Sequence, residues 1–96
     1  MYKLTVEEIN KAVNAGAVAG DKNTVIMGVA TDSRDVLEGN LFVAIEGERY
    51  DGHDFIKQAV DLGAKAVMVS KDVHPDRDVA VIKVKDTVKA LGDLAK

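Results

Sequence analysis

Two apolar runs without polar alternation constrain this chain most. Leu41-Phe42-Val43-Ala44-Ile45 and Ala66-Val67-Met68-Val69 each read as a strand. Strand side chains alternate between faces, so a strand that is apolar at every position is buried on both. The sequence between them is helical in pattern. Phe55, Ile56, Ala59, Val60 and Leu62 form an apolar stripe, Asp51 is placed to cap its start, and Gly63 is placed to end it. Strand, helix and strand in succession predict parallel strands joined by a right-handed crossover.

The rest of the chain fits around that unit. Thr5 and Glu8 have the spacing of a capping box, with Leu4 and Ile9 as its hydrophobic staple. Val6, Ile9 and Val13 then recur at helical spacing, and Gly16 is placed to close the helix. Residues 16–21 read as a short extended piece. Residues 25–30 read as a buried strand, Leu37-Glu38-Gly39-Asn40 as a turn, residues 73–78 as a polar loop and residues 79–84 as another strand. Asp86 is placed to cap a last helix, with Val88, Leu91, Leu94 and Ala95 on one side. The expected fold class is α/β, a three-layer domain with a small mixed β-sheet of four or five strands flanked by helices.

Composition narrows the function. Ninety-six residues predict one domain, residues 1–96. Thirteen Lys and Arg against 16 Asp and Glu give a net charge of −3, which argues against a nucleic-acid partner. The chain contains no cysteine, so it offers no thiolate nucleophile and no cysteine-based zinc site, and a reducing cytosol suits it. No apolar run approaches the ~18 residues of a membrane span. The acidic start gives no export signal, and a last helix running to Lys96 without a C-cap reads as a cut through a longer protein.

Catalytic and metal motifs are missing. The sequence has no Gly-x-x-x-x-Gly-Lys-Ser/Thr loop, no Gly-x-Gly-x-x-Gly fingerprint and no His-Glu-x-x-His. His53 and His74 stand in different loops, without the three or four converging ligands that zinc needs. Neither a catalytic residue nor a metal site is expected within the chain.

Two polar loops follow buried strands. Thr31-Asp32-Ser33-Arg34 follows the strand at 25–30, and Gly47-Glu48-Arg49-Tyr50-Asp51-Gly52-His53 follows the strand at 41–45. In open α/β sheets, ligands bind beyond the carboxyl ends of strands, and a helix N-terminus favours an anion. A hydroxyl (Ser33), two guanidiniums (Arg34 and Arg49) and an aromatic face (Tyr50) suit a small anionic heteroaromatic ligand, such as a nucleotide base with its phosphates. Plainer roles are open to the same residues. Asp32 and Ser33 are ordinary turn formers, Arg34 has acidic neighbours to pair with, Asp51 suffices as a cap, and Tyr50 is able simply to cover the sheet edge.

Together with Gly39-Asn40-Leu41-Phe42-Val43-Ala44 and the extension Asp54-Phe55, these loops resemble the N-terminal domain of the Mur ligases, the cytoplasmic enzymes that build the peptide stem of peptidoglycan. The run Gly-Glu-Arg-Tyr-Asp-Gly-His-Asp-Phe and the closing residues 84–95 are most similar to the branch that adds D-alanyl-D-alanine. The neighbouring branch, which adds the third stem residue, is the alternative, as is a free-standing regulatory or protein-binding α/β module. The resemblance implies a substrate-anchoring domain for the UDP end of a UDP-linked muramoyl peptide. ATP and magnesium would be served by the remaining ligase domains, the ATP-binding central domain and the C-terminal domain, which these residues do not include. Carried over by position, Ser33, Glu48, Arg49 and Tyr50 would contact the uridine diphosphate, and Thr31 and Asp32 would shape the first loop. Arg34, Asp51, Gly52 and His53 rank below them. Asn40, and Asp35-Val36-Leu37-Glu38, depart from the family pattern, and the departures fall in one turn.

Overall fold

The computed structural model describes residues 4–13, 17–75 and 78–94. The first helix, α1 (Val6–Val13), follows strand β1 (Leu4–Thr5). Its capping box is formed: the Glu8 amide donates to Thr5 Oγ1 at 3.2 Å, and the Thr5 amide donates to Glu8 Oε1 at 3.1 Å. Val6, Ile9 and Val13 are buried, as their spacing requires. Gly16, the expected helix end, lies outside the described residues.

Strand β2 (Ala17–Ala19) is the extended piece, and β3 (Val25–Ile26) and β4 (Gly28–Ala30) come next. The strand expected over 25–30 is thus two short ones. β3 pairs antiparallel with β1, and β4 pairs parallel with β5 (Asn40–Val43). Val25, Met27 and Val29 are exposed while Ile26 and Ala30 are buried, so only alternate residues of this stretch reach the core, and β4 is an edge strand. The Leu37–Asn40 turn closes as expected. The Leu37 amide donates to Asn40 Oδ1 at 3.0 Å, and the Asn40 amide donates to the Leu37 carbonyl at 3.1 Å. The departures from the family pattern therefore still make a closed turn.

After β5 come α2 (Ile56–Asp61), β6 (Ala66–Val69), β7 (Ala80–Lys83) and α3 (Thr87–Leu94). The main sheet has five strands in the order β2-β7-β6-β5-β4. Its pairs are parallel except for β2 against β7. β5 and β6 are buried at every position, as the unalternated runs require, although β5 ends at Val43 and Ile45, at the end of the first run, is only partly buried. Leu41, Val43, Ala66 and Met68 face α1 and α3, whereas Phe42, Ala44, Val67 and Val69 face α2. The expected three layers with a mixed sheet are present. Asp86 caps α3 by accepting from the Val88 and Lys89 amides at 2.9 and 3.2 Å. Val88 is a correction: it is exposed, and Thr87 and Ala90 are the buried residues of α3. Ala95 lies outside the described residues, as do Asp76 and Arg77 of the polar loop. Among the described residues, no helix is long and apolar enough to cross a membrane.

One glycine locks the second polar loop against the sheet. Gly52 donates its amide to the Ile45 carbonyl at 2.8 Å. A Cβ at this position would lie 2.7 Å from the Ile45 nitrogen and 3.0 Å from Ala44 Cα. Both neighbours are backbone, so neither can yield. Gly52→Ala should therefore cost about 1–3 kcal/mol of stability, the usual penalty of overpacking. Urea unfolding reads this directly, and an unchanged midpoint would refute the close contact.

Candidate functional site

The two loops flank a cleft of about 330 Å³ lined by Thr31, Asp32, Ser33, Arg34, Phe42, Tyr50, Gly52, Phe55 and Gln58. It lies beyond the carboxyl ends of β4 and β5, where the sheet rule places a ligand. Thr31 follows β4 directly, and a 3-10 turn at Ser33–Asp35 carries Ser33 inward, leaving it only 6% exposed. Asp32 caps that turn by accepting from the Arg34 amide at 2.9 Å. The plainer role open to Arg34 is the one it takes: its Nη2 donates to Asp32 Oδ2 at 2.8 Å and its Nε to Asp32 Oδ1 at 3.1 Å. The Arg34 guanidinium lowers the Asp32 carboxyl to a pKa of about 2. At neutral pH the pair contributes no net charge to the rim.

The second loop is folded back on itself. The Gly47 amide donates to the Tyr50 carbonyl at 2.8 Å, a turn that puts Glu48 and Arg49 at its exposed tip. These two residues do not line the cleft. Tyr50 does, and its ring meets Phe55 edge to face, with centroids 6.0 Å apart and planes at 72°.

Asp51 anchors the loop instead of lining the cleft. It caps a 3-10 turn at Gly52–Phe55 by accepting from the His53 amide at 2.9 Å, and α2 begins only at Ile56. The Asp51 carboxylate also bonds Lys71 Nζ and lies 2.5 Å from His53 Nδ1, while Lys71 reaches Glu46 at 3.4 Å. His53 Nε2 accepts from the Ser70 amide at 3.0 Å, which assigns the ring proton to Nδ1. His53 thus ties the loop to the end of β6. The ammonium of Lys71, and then the His53 amide and ring, hold the Asp51 carboxyl well below the usual carboxylate range.

The amides after Asp51, read from sequence as an anion site, already have acceptors. Gly52 donates to Ile45, His53 to Asp51 Oδ1, and Asp54 to the Asp51 carbonyl at 3.0 Å. This is a correction to the sequence reading: the capping that forms the turn consumes its donors.

Three lining residues escaped the sequence reading. Phe42 and Phe55 read as core positions of a strand and a helical stripe. Gln58 lies three residues beyond Phe55, on the same helix side, and Ser33 Oγ donates to Gln58 Oε1 at 3.2 Å. The signal for Gln58 was a polar residue bordering an apolar stripe, which is too common to single one out.

A parallel-centred sheet with a cleft at the ends of β4 and β5 defines an α/β domain with a candidate binding cleft. The chain belongs to the Mur ligase family: the family model described as "Mur ligase family, catalytic domain" matches residues 25–96. It is 44% identical over 99 residues to the UDP-N-acetylmuramoyl-tripeptide–D-alanyl-D-alanine ligase of Bacillus subtilis, covering 100% of this chain and 21% of that one. It is 33% identical over 88 residues to the UDP-N-acetylmuramoyl-L-alanyl-D-glutamate–2,6-diaminopimelate ligase of Clostridium perfringens, covering 92% and 18%. Among solved structures, a MurF crystal structure from Acinetobacter baumannii superposes with a TM-score of 0.86 at 31% identity, over 98% of this chain and 20% of that chain. The chain spans about a fifth of the length of these relatives.

Acid titration tests the anchoring role of Asp51. Its folded pKa is lowered, so its stabilising contribution is complete above the unfolded value of about 3.9 and is lost as pH falls towards the folded value. Unfolding midpoints of the wild type should fall between about pH 5 and pH 2. Asp51→Asn should be less stable at pH 7 and should lose less on acidification. Parallel pH curves for the two proteins would contradict this.

Proposed function

We propose that this chain anchors the UDP end of UDP-N-acetylmuramoyl-tripeptide for a ligase that adds D-alanyl-D-alanine with consumption of ATP. The observation that carries this reading is the cleft itself. Aromatic rings from β5, the second loop and the helix entry meet Ser33 and Gln58 at the ends of two parallel strands. A pyrimidine ring would lie against Tyr50 and Phe55, above the buried Phe42, with Ser33 and Thr31 at its polar edge. Asp32 shapes the first loop through its bonds to Arg34, and Gly52 shapes the floor. The diphosphate would extend towards the Arg49 tip, where Glu48 also stands. Asp51 and His53 hold the loop from behind. The ligase relative in B. subtilis supports the dipeptide-adding branch, and the diaminopimelate ligase of C. perfringens keeps addition of the third stem residue as the second reading.

The ATP step belongs to other parts of such a ligase, because these residues include no phosphate loop. What this chain does is bind and orient: it holds the nucleotide end so that the distant carboxylate is presented to the reacting groups.

UDP titrated into the chain should bind with about millimolar affinity, on the order of −4 kcal/mol. In amide-resolved NMR, shifts should cluster at residues 31–34 and 47–53. Uridine should perturb the same residues, and salt should weaken UDP more than uridine. Shifts confined to the lysines at 83–89, or an equal response to any phosphate, would refute the site.

In a full-length ligase that contains this chain, Arg49→Ala should raise KM for the nucleotide substrate by about tenfold and leave kcat nearly unchanged. A contact remote from the reacting carboxylate is made equally in the ground and transition states. Steady-state kinetics decide it, and a large fall in kcat at constant KM would contradict the placement.

A further inference from the structure

We propose that Lys71 is a positioning residue that governs substrate affinity from outside the cleft, by holding together two facing carboxylates at the base of the second loop. The inference rests on the nucleotide reading above and adds to it a residue that touches no ligand.

The second loop is a narrow hairpin. The Gly52 amide donates to the Ile45 carbonyl at 2.8 Å, Glu46 and Asp51 pair in an antiparallel bridge, and the Gly47 amide donates to the Tyr50 carbonyl at 2.8 Å. The bridge sets two acids opposite each other. Like charges in directly facing positions repel and oppose the pairing. Lys71, two residues past the end of β6, supplies the missing counter-charge. Its Nζ bonds Asp51 Oδ2 and lies 3.4 Å from Glu46 Oε1, so one ammonium serves both carboxylates. Among the described residues no other lysine or arginine pairs with either of them. An isolated exposed ion pair contributes little, but here one cation is shared by two anions and the Asp51 side chain is largely shielded from water.

The Asp51 carboxylate divides between two tasks. Oδ1 accepts from the His53 amide and faces the His53 ring, which builds the turn into α2, and Oδ2 goes to Lys71. The Ser70 amide donates to His53 Nε2 at 3.0 Å. Two successive residues after β6 therefore hold different parts of the corner. Ser70 holds the entry to α2, and Lys71 holds the hairpin base. Loss of the ammonium would leave Oδ2 bare against Glu46 while the Ser70 tie stays. Tyr50 adjoins Asp51, lines the cleft and is 59% exposed, with the Phe55 ring at its edge. A ring so exposed takes its place from the backbone that carries it, so spreading of the hairpin base displaces the aromatic side of the cleft. Lys71 does not line that cleft, and its side chain is 48% exposed, so truncating it opens no void in the core.

The test compares the wild type with Lys71→Met, Lys71→Arg, Glu46→Gln and the double variant, by amide hydrogen exchange without ligand and by NMR titration with UDP. In Lys71→Met the Gly47 amide should exchange at least about fivefold faster while the Ser70 amide keeps its protection, and UDP should bind about fivefold more weakly. Lys71→Arg keeps the cation and should bind UDP within about twofold of the wild type. Glu46→Gln should recover most of the affinity lost in Lys71→Met, yet change affinity by less than about twofold when Lys71 is present, because the two positions are coupled. Unchanged exchange and affinity in Lys71→Met would overturn the proposal and leave the nucleotide site standing. Faster exchange at Gly47 with wild-type affinity would also overturn it, because the hairpin base would then not govern binding. Equal loss of protection at Gly47 and Ser70, or unfolding of Lys71→Met, would overturn it in favour of general stability. Equal effects of Glu46→Gln with and without Lys71 would overturn it in favour of direct attraction between Lys71 and the phosphates. A wild type that gives no response to UDP at residues 31–34 and 47–53 would overturn the nucleotide reading and this inference together.

Discussion

Gly52 lacks a side chain at the place where the backbone of Ala44 and Ile45 fills the space that one would take. Because the chain passes this close to the end of β5, the second loop is a tight excursion and not an open flap. The contact sets where Tyr50 stands before it and where the turn leading to α2 starts after it. Asp51 and His53 then tie the same corner to Lys71 and Ser70 beyond β6. Two adjacent parallel strands are thus joined at their carboxyl ends by polar bonds as well as by the sheet ladder, and the cleft inherits its shape from that corner. A substitution at Gly52 acts on the site by moving the scaffold.

The charge arrangement complements this geometry. A chain of net charge −3 is proposed to hold an anionic substrate, and its nearest cations are few. Arg34 spends its charge on Asp32, and Lys71 spends its own on Asp51 and Glu46. Arg49 stands on an exposed turn. On the proposed function, long-range attraction would be a weak contributor, and recognition would fall to short-range contacts with a flat ring. This balance suits a domain whose substrate extends far beyond it, because the remaining length of that substrate has its own contacts to make.

The sheet was legible because β5 and β6 announce themselves. Five and four consecutive apolar residues have only one solution when helices flank them. The capping box at Thr5 and Glu8 and the cap at Asp86 were equally plain, since each is a local bond between near neighbours. The edge was not legible. Residues 25–30 look as apolar as one core strand, yet they divide between two sheets and Val25, Met27 and Val29 face outward, which only the topology reveals. The site divided the same way. Thr31, Asp32 and Ser33 were found from their position after a strand, whereas Gln58 joins the cleft through a contact across 25 residues that no local pattern encodes. The donors after Asp51 were misjudged because a cap that builds a turn also consumes its amides.

The pairing of β2 with β7 bears on how the molecule assembles. Residues 17–19 run antiparallel to residues 81–83, so an early segment closes the sheet against a late one. α1 likewise packs on α3 and rests on a sheet face completed by Ile82. Until β7 joins β6, α1 lacks the full surface on which to bury Val6, Ile9 and Val13. Pairings so distant along the chain raise contact order and slow the search for the native topology. On a ribosome, the central strand–helix–strand unit emerges complete while the start of the chain still waits for its partner. The order of synthesis and the order of docking are therefore inverted for the first helix, and its exposed apolar stripe is the surface a nascent chain must keep from other contacts.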